Sequence, residues 1–283
     1  MKRLALISSL ALAVTLLAYL APAATPQDDT PFTLKPGCKL PFDDIKTEKL
    51  GVDRYCGPAG KSSSSAASRA QNQAKNNFCV TGTPLTINFK TFDDLMTATR
   101  QKQIPFGQAG MPQSRAPLAA MITISGKQVG EGMLVTLEGN ILETHHADTY
   151  LDQFGGESVN CNKNAIEWND IHIALVDPAG PSNPCSSVTA EISPHFRPAS
   201  WNRFITRNDE FKIENGLPIQ GARVRISGQL FFDASHGPCN DPNKKSSDPP
   251  RRSIWEIHPV YAIEIFDTTK NKFVALDTWA KDK

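Results

Sequence analysis

Alternating apolar and polar positions dominate the second half of the chain. Successive side chains of a strand point to opposite faces, so a period of two marks a half-buried strand. In the run from Asp170 to Val176, Ile171, Ile173 and Leu175 share one face and Asp170 and His172 the other. From Ser187 to Ser193, Val188, Ala190 and Ile192 lie opposite Thr189, Glu191 and Ser193. From Ala222 to Asp233, Val224, Ile226, Leu230 and Phe232 lie opposite Arg223, Arg225, Gln229 and Asp233. From Ile254 to Phe266, Trp255 and Ile257 alternate with Glu256 and His258. Met133–His145 and Leu118–Ser125 are further strand candidates, punctuated by Gly130, Gly132 and Gly139, as where a barrel strand bends sharply.

Before residue 118 the pattern changes. Residues 25–60 are rich in Pro, Gly and Asp around Cys38 and Cys56 and read as a stapled loop region. Residues 61–77 lack both breakers and predict a short polar helix. Pro84–Phe89 reads as a strand. Thr91 is the expected N-cap of a helix reaching about Gln101, with Asp93 and Asp94 in its first turn and Phe92, Leu95 and Met96 on one side. Gly107–Pro117 is a loop, and Pro198–Thr206 a short amphipathic helix.

With Met133–His145 as the first barrel strand, the order is β-β-β-α-β-β. That predicts a mainly β chain with short helices (α+β): a five-stranded OB-like barrel over 118–283, preceded by a disulfide-stapled helical extension over 25–117. OB barrels commonly take oligonucleotides or oligosaccharides across their middle strands. A β-sandwich or another small barrel is the competing architecture.

The first 24 residues predict an export signal. Lys2 and Arg3 precede the apolar run Leu4–Leu20, and Ala21-Pro22-Ala23 is a small-residue cleavage site. The run is short for a spanning helix, and no transmembrane segment is expected in the mature chain. A periplasmic or secreted location follows. Cys38, Cys56, Cys79, Cys161, Cys185 and Cys239 then suggest disulfides. Spacing favours Cys38–Cys56 and Cys161–Cys185, leaving Cys79–Cys239, among 15 arithmetically allowed sets. Composition adds two exclusions. The hydrophobic share of 40% excludes whole-chain disorder, and a net charge of +1 excludes a strongly basic, duplex-coating protein.

The chemistry-bearing residues gather on the polar faces of these strands. His172, His195, His236 and His258 each lie near a carboxylate in sequence: Asp170, Glu191, Asp233 and Glu256. If the second and third barrel strands form a hairpin, Asp170, His172 and Glu191 meet on one surface. A carboxylate orients an imidazole and raises its basicity, and the pair can transfer protons near neutral pH. Two histidines and a carboxylate can also hold a divalent metal with a position left for water. His172, Glu256 and His258 are the expected metal ligands. His172, His236, His258, Asp170, Glu191, Asp233 and Glu256 are the expected catalytic set. His145 and His146 point to opposite strand faces and are expected at the surface.

The connection from Gly237 to Arg252 is polar and carries Lys244, Lys245, Arg251 and Arg252. These are candidate contacts for an oligonucleotide, glycan or other anionic ligand, with Phe231, Trp255 and Tyr261 as candidate stacking surfaces. A solvated loop and core aromatics are the plain alternatives.

Four segments taken together resemble a set of exported bacterial proteins: Asn169–Leu175 with Asp-x-His, Thr189–His195 with Glu-x-x-Pro-His, Gly228–His236 with Phe-Asp-x-x-His, and Trp255–Val260 with Glu-x-His-Pro. The resemblance covers about residues 130–266 and supplies no catalytic assignment. It differs from staphylococcal-type nucleases, OB barrels whose site uses Asp, Glu and Arg. Nucleophile-elbow, P-loop and His-Glu-x-x-His motifs are absent. Three classes stand: a hydrolase of phosphodiesterase or nuclease type, metal-assisted; a non-catalytic oligonucleotide- or glycan-binding module; and a structural envelope protein.

Overall fold

In a computed structural model, the described residues are 59–61, 65–78, 80, 82–146, 149–150, 153–154, 156–163, 168–195, 197, 201 and 219–281. The expected export signal, the loop bearing Cys38 and Cys56, Cys79, and all of the expected 198–206 helix except Trp201 lie outside them.

The period-two runs are strands, and five of them close into a barrel. β4 (Leu134–His146) pairs antiparallel with β7 (Ile171–Val176), and β7 with β8 (Val188–Ile192). β8 runs parallel to β10 (Trp255–Asp267), with Ile257 opposite Ala190. β10 pairs antiparallel with β9 (Arg223–Phe232), and β9 returns to β4. The ring order is first, second, third, fifth, fourth, with the parallel contact between third and fifth. β4 belongs to two neighbours because it bends: residues 134–140 face β9 and residues 140–146 face β7. Gly228 lies opposite the register shifts that flank Val260 in β10. A Cβ there would stand 2.5 Å from the Pro259 carbonyl oxygen, so only glycine permits this approach.

Smaller elements extend the ring. β1 (Leu85–Ile87) lies parallel to β4, and β11 (Lys272–Ala275) antiparallel to the end of β10. β2 (Ile122–Ile124) with β3 (Lys127–Val129), and β5 (Thr149–Tyr150) with β6 (Gln153–Phe154), are separate two-stranded ribbons. The chain ends in α3 (Leu276–Lys281). Among the described residues no helix is long and apolar enough to cross a membrane.

The inward strand positions expected from parity form the core. Ile171, Ile173, Leu175, Val188, Ala190, Ile192, Val224, Ile226, Leu230, Phe232, Trp255 and Ile257 are all fully buried in one cluster. Phe92, Leu95 and Met96 of α2 (Phe89–Gln101) join the same cluster. That helix begins earlier than expected. Asn88, not Thr91, is its N-cap: the Asn88 side chain accepts from Thr91 N at 3.1 Å, and Thr91 Oγ1 accepts from Asn88 N at 3.3 Å. This reciprocal box satisfies two amides at once and shortens the strand before it.

α1 (Ala66–Lys75) forms within the expected 61–77 window, capped by Ser65. It buries Gln71, Asn72 and Lys75 along with Ala67. A helix with a polar buried face requires polar partners beneath it.

One disulfide joins Cys185 to Cys239, with Cα atoms 5.6 Å apart. The expected Cys161–Cys185 and Cys79–Cys239 pairs are therefore incorrect. The loop after β7 lies against the 237–252 connection, where Arg252 N donates to the Ser187 carbonyl at 2.8 Å. Tertiary proximity overrides sequence spacing here. Cys161 is disulfide-bonded as well.

Candidate functional site

Pairing in the barrel assembles the outward polar positions into one network. The β7–β8 register sets His172 opposite Glu191. The parallel contact of Ala190 with Ile257 brings Glu256 and His258 of β10 alongside. Asp170 stands immediately before β7, and Asp233 follows β9. This face is not open to solvent, because α1 and the segment 157–160 are bonded to it. Asp170, Glu191, Asp233, Glu256 and His258 are buried.

Lys75 stands at the centre. Its Nζ lies 2.6 Å from Glu191 Oε2, 3.5 Å from Asp170 Oδ2 and 3.9 Å from Glu157 Oε1. His258 Nδ1 is 2.9 Å from Glu191 Oε2. His172 Nε2 is 3.2 Å from Glu191 Oε1 and 3.8 Å from Glu157 Oε1. Asn160 donates to Asp170 Oδ1 at 3.0 Å and to Glu157 Oε2 at 3.1 Å, and its carbonyl oxygen faces His195 Nε2 at 3.1 Å. His195 therefore joins the network through Asn160.

A second branch runs through Arg251, whose Nη1 is 3.4 Å from Glu256 Oε2 and 3.6 Å from Asp233 Oδ2. Gln71 of α1 donates to Asp233 Oδ1 at 2.9 Å. His236 places Nε2 3.4 Å from Asp233 and Nδ1 3.0 Å from Asp248. His236 is thus held at the end of this branch, away from the His172–Glu191–His258 group.

The environment sorts these groups by charge. Burial alone would raise the Glu191 pKa, but Lys75, His172 and His258 hold it well below the usual carboxylate range. Glu256 goes the other way: burial, reinforced by Glu191 and Asp233, pushes it well up and favours the protonated acid. Glu157 is also raised, by burial and then by Asp170. Burial would discharge Lys75, yet Glu191, Asp170, Glu157 and Glu256 outweigh it and keep the ammonium. Burial would lower His172 too, but Glu191 and Glu157 raise it to about 8.

His172 is the member of this group that reaches an opening. It lines a pocket of about 230 Å³ together with His145, Glu143, Thr189 and Arg251, with Pro249 and Pro250 on one wall. The His145 and His172 rings meet edge to face with centroids 5.3 Å apart. His146, expected at the surface, is instead buried. Burial first, then Arg197, lowers its pKa to about 2.

The expected anion contacts have internal partners. Lys244 Nζ donates to the Asp248 carbonyl at 2.7 Å, and Lys245 Nζ to the Ser235 carbonyl at 2.8 Å. Arg252 forms a two-point bond with Asp93 of α2 at 2.7 and 2.6 Å. Arg251 is buried against Glu256 and Asp233. The charge of this loop closes the loop onto the barrel. Phe231, Trp255 and Tyr261 are also buried, so none offers a stacking face. Trp255 Nε1 donates to Thr99 Oγ1 at 2.9 Å, and the core holds its ring.

Among the described residues, two groups place ligand atoms within 4.8 Å of one another, as a metal ion requires: Glu157–Asp170–His172 and Asp170–Glu191–His258. His172 and His258 fall in different groups, and Glu256 in neither. Buried Asp170 Oδ2, His172 Nε2, Glu256 Oε1 and His258 Nε2 have no hydrogen-bond partner among the described residues. The donor types suit a metal, while the Lys75 ammonium already stands among the same carboxylates.

The strand residues of this network were legible from parity. Lys75, Gln71, Glu157 and Asn160 were not. The available signal was Gln71 and Lys75 four apart on α1, in line with Ala67. Comparison with protein-family models, with curated proteins and with solved structures finds no match to this chain.

Proposed function

We propose that this protein is an exported hydrolase that acts on small anionic esters, phosphodiesters among them, by general acid–base chemistry at His172. One observation carries the reading: His172 links a sealed, charge-balanced network to a pocket large enough for a small ligand. With Nε2 turned to Glu191 and Glu157, Nδ1 is the nitrogen left to meet a ligand. As imidazolium it gives a proton to a departing oxygen; as imidazole it takes one from attacking water. A pKa near the working pH suits both roles. Glu191, held ionised, orients the ring. His145 and Arg251 also line the wall.

Five or more buried ionisable groups are costly to a fold, since well-packed apolar residues often serve stability equally well. That cost favours function over a purely structural role. The ring order supports an OB-like barrel, but the covered outer face and the engaged basic loop weigh against an oligonucleotide groove. The leader-like N-terminus and the Cys185–Cys239 disulfide support export. With Lys75 among the carboxylates, metal-free chemistry is favoured over the metal-assisted version.

The test is turnover of bis(p-nitrophenyl) phosphate by the purified chain in the presence of chelator. Turnover is expected, and His172→Gln should reduce it by about 10²-fold or more at unchanged melting temperature. Saturable binding without product would select the non-catalytic binding module. Neither turnover nor binding would select the structural role.

A further inference from the structure

Asp170, Glu191 and His258 turn three donor atoms toward one point. Asp170 Oδ2 and Glu191 Oε2 both face His258 Nδ1, at 3.9 and 2.9 Å. All three side chains are buried. Asp170 Oδ2 is the informative atom. It is fully buried, accepts no hydrogen bond from any described residue, and is aimed into this group. Its nearest positive neighbour is the Lys75 ammonium at 3.5 Å, which also stands 2.6 Å from Glu191 Oε2. The ammonium therefore marks a seat for positive charge between two carboxylates and an imidazole. Lys75 is the last residue of α1, where the carbonyl end of the helix also favours a cation. Two carboxylate oxygens and one imidazole nitrogen are donors that suit zinc or manganese.

We infer that Asp170, Glu191 and His258 form a divalent-cation seat that Lys75 fills as a covalently attached cation, so that metal and lysine exclude each other. An ammonium supplies one charge and hydrogen bonds, whereas a divalent ion supplies two charges and direct coordination. Metal entry requires the last turn of α1 to withdraw Lys75. The helix then acts as a plug whose position reports which cation is present. The inference stands apart from turnover at His172, which uses no metal.

The test compares wild type, Lys75→Ala and Lys75→Met after chelator treatment, titrated with Zn²⁺ or Mn²⁺. Calorimetry reads stoichiometry and affinity, and the melting temperature reads stabilisation. The variants should take up one ion per chain at least about tenfold more tightly than wild type. Adding Asp170→Asn to Lys75→Met should abolish the gain, which separates this seat from adventitious binding at other histidines. Lys75→Met keeps most of the apolar stem and is the variant expected to stay folded. If Lys75→Ala is unfolded without metal, either ion should refold it, and refolding should fail when Asp170→Asn is added. Equal metal affinity in wild type and Lys75→Met, failure of both ions to restore an unfolded Lys75→Ala, or indifference to Asp170→Asn would each overturn the inference. Chelator-treated wild type that still turns over ester leaves this result untouched, so the two readings fail separately.

Discussion

His172 and Glu191 face each other across the β7–β8 pair, with Nε2 3.2 Å from Oε1. Glu191 is buried and His172 lines the pocket, so the pair spans the boundary between interior and pocket. In Glu191→Gln the His172 pKa should fall from about 8 toward its ordinary value of about 6.5, because Glu191 is the stronger of the two carboxylates that together outweigh burial. NMR titration of the His172 ring protons reads this directly. An unmoved titration would show that Glu157 alone sets it.

Asp233 and His172 contribute pH-dependent stability of opposite sign. Asp233 is lowered to about 2: burial would raise it, but His236, Arg251 and Lys75 hold it down. A depressed carboxylate stabilises the fold above its unfolded pKa and loses that contribution as pH falls toward about 2. His172 is raised, so its contribution is complete below about 6.5 and lost as pH rises through about 8. Each amounts to roughly 2 kcal/mol. The Asp233 contribution is read as the urea-midpoint difference between wild type and Asp233→Asn, which should shrink as pH falls below about 4, and the His172 contribution as the difference between wild type and His172→Gln, which should shrink as pH rises from about 6.5 through 8.

Lys75→Met should destabilise the fold by about 3–5 kcal/mol in the absence of metal, the cost of leaving a buried carboxylate unpaired. Lys75→Met combined with Glu191→Gln should recover a large part of that loss. The coupling energy in a denaturant double-mutant cycle checks it, and simple additivity would show that the ion pair is not the source.

Cys185 and Cys239 lie 54 residues apart in sequence, so their bond closes a long loop. Cys185→Ser with Cys239→Ser should lower stability by about 2–4 kcal/mol. The same pair joins the loop beside Pro184 to the 237–252 connection that carries Pro249 and Pro250. Turnover at the His172 pocket should therefore fall along with stability, which an assay well below the melting temperature can separate.

The barrel was legible because its strands obey a strict period of two, and the same period set Asp170, His172, Glu191, Glu256 and His258 on the outward side. Lys75 was hidden because its helix looks polar and surface-like, with nothing local to show that a carboxylate cluster lies beneath. The basic loop misled for the opposite reason. Lys244 and Lys245 are spent on backbone carbonyls, and carbonyl partners leave no trace in residue type. The disulfide turned on a tertiary contact between residues 54 apart that sequence spacing does not encode, whereas the Asn88 cap follows from a local Asn-x-x-Thr pairing.

α1 contributes Lys75 and Gln71 to a face that the barrel strands cannot neutralise alone. A fragment cut at residue 118 would leave Asp170, Glu191 and Asp233 without Lys75 and Gln71. The experimental unit of this protein is therefore the barrel with its helix attached. Anyone trimming the chain for crystals or grafting the barrel onto another protein must begin no later than Ser65.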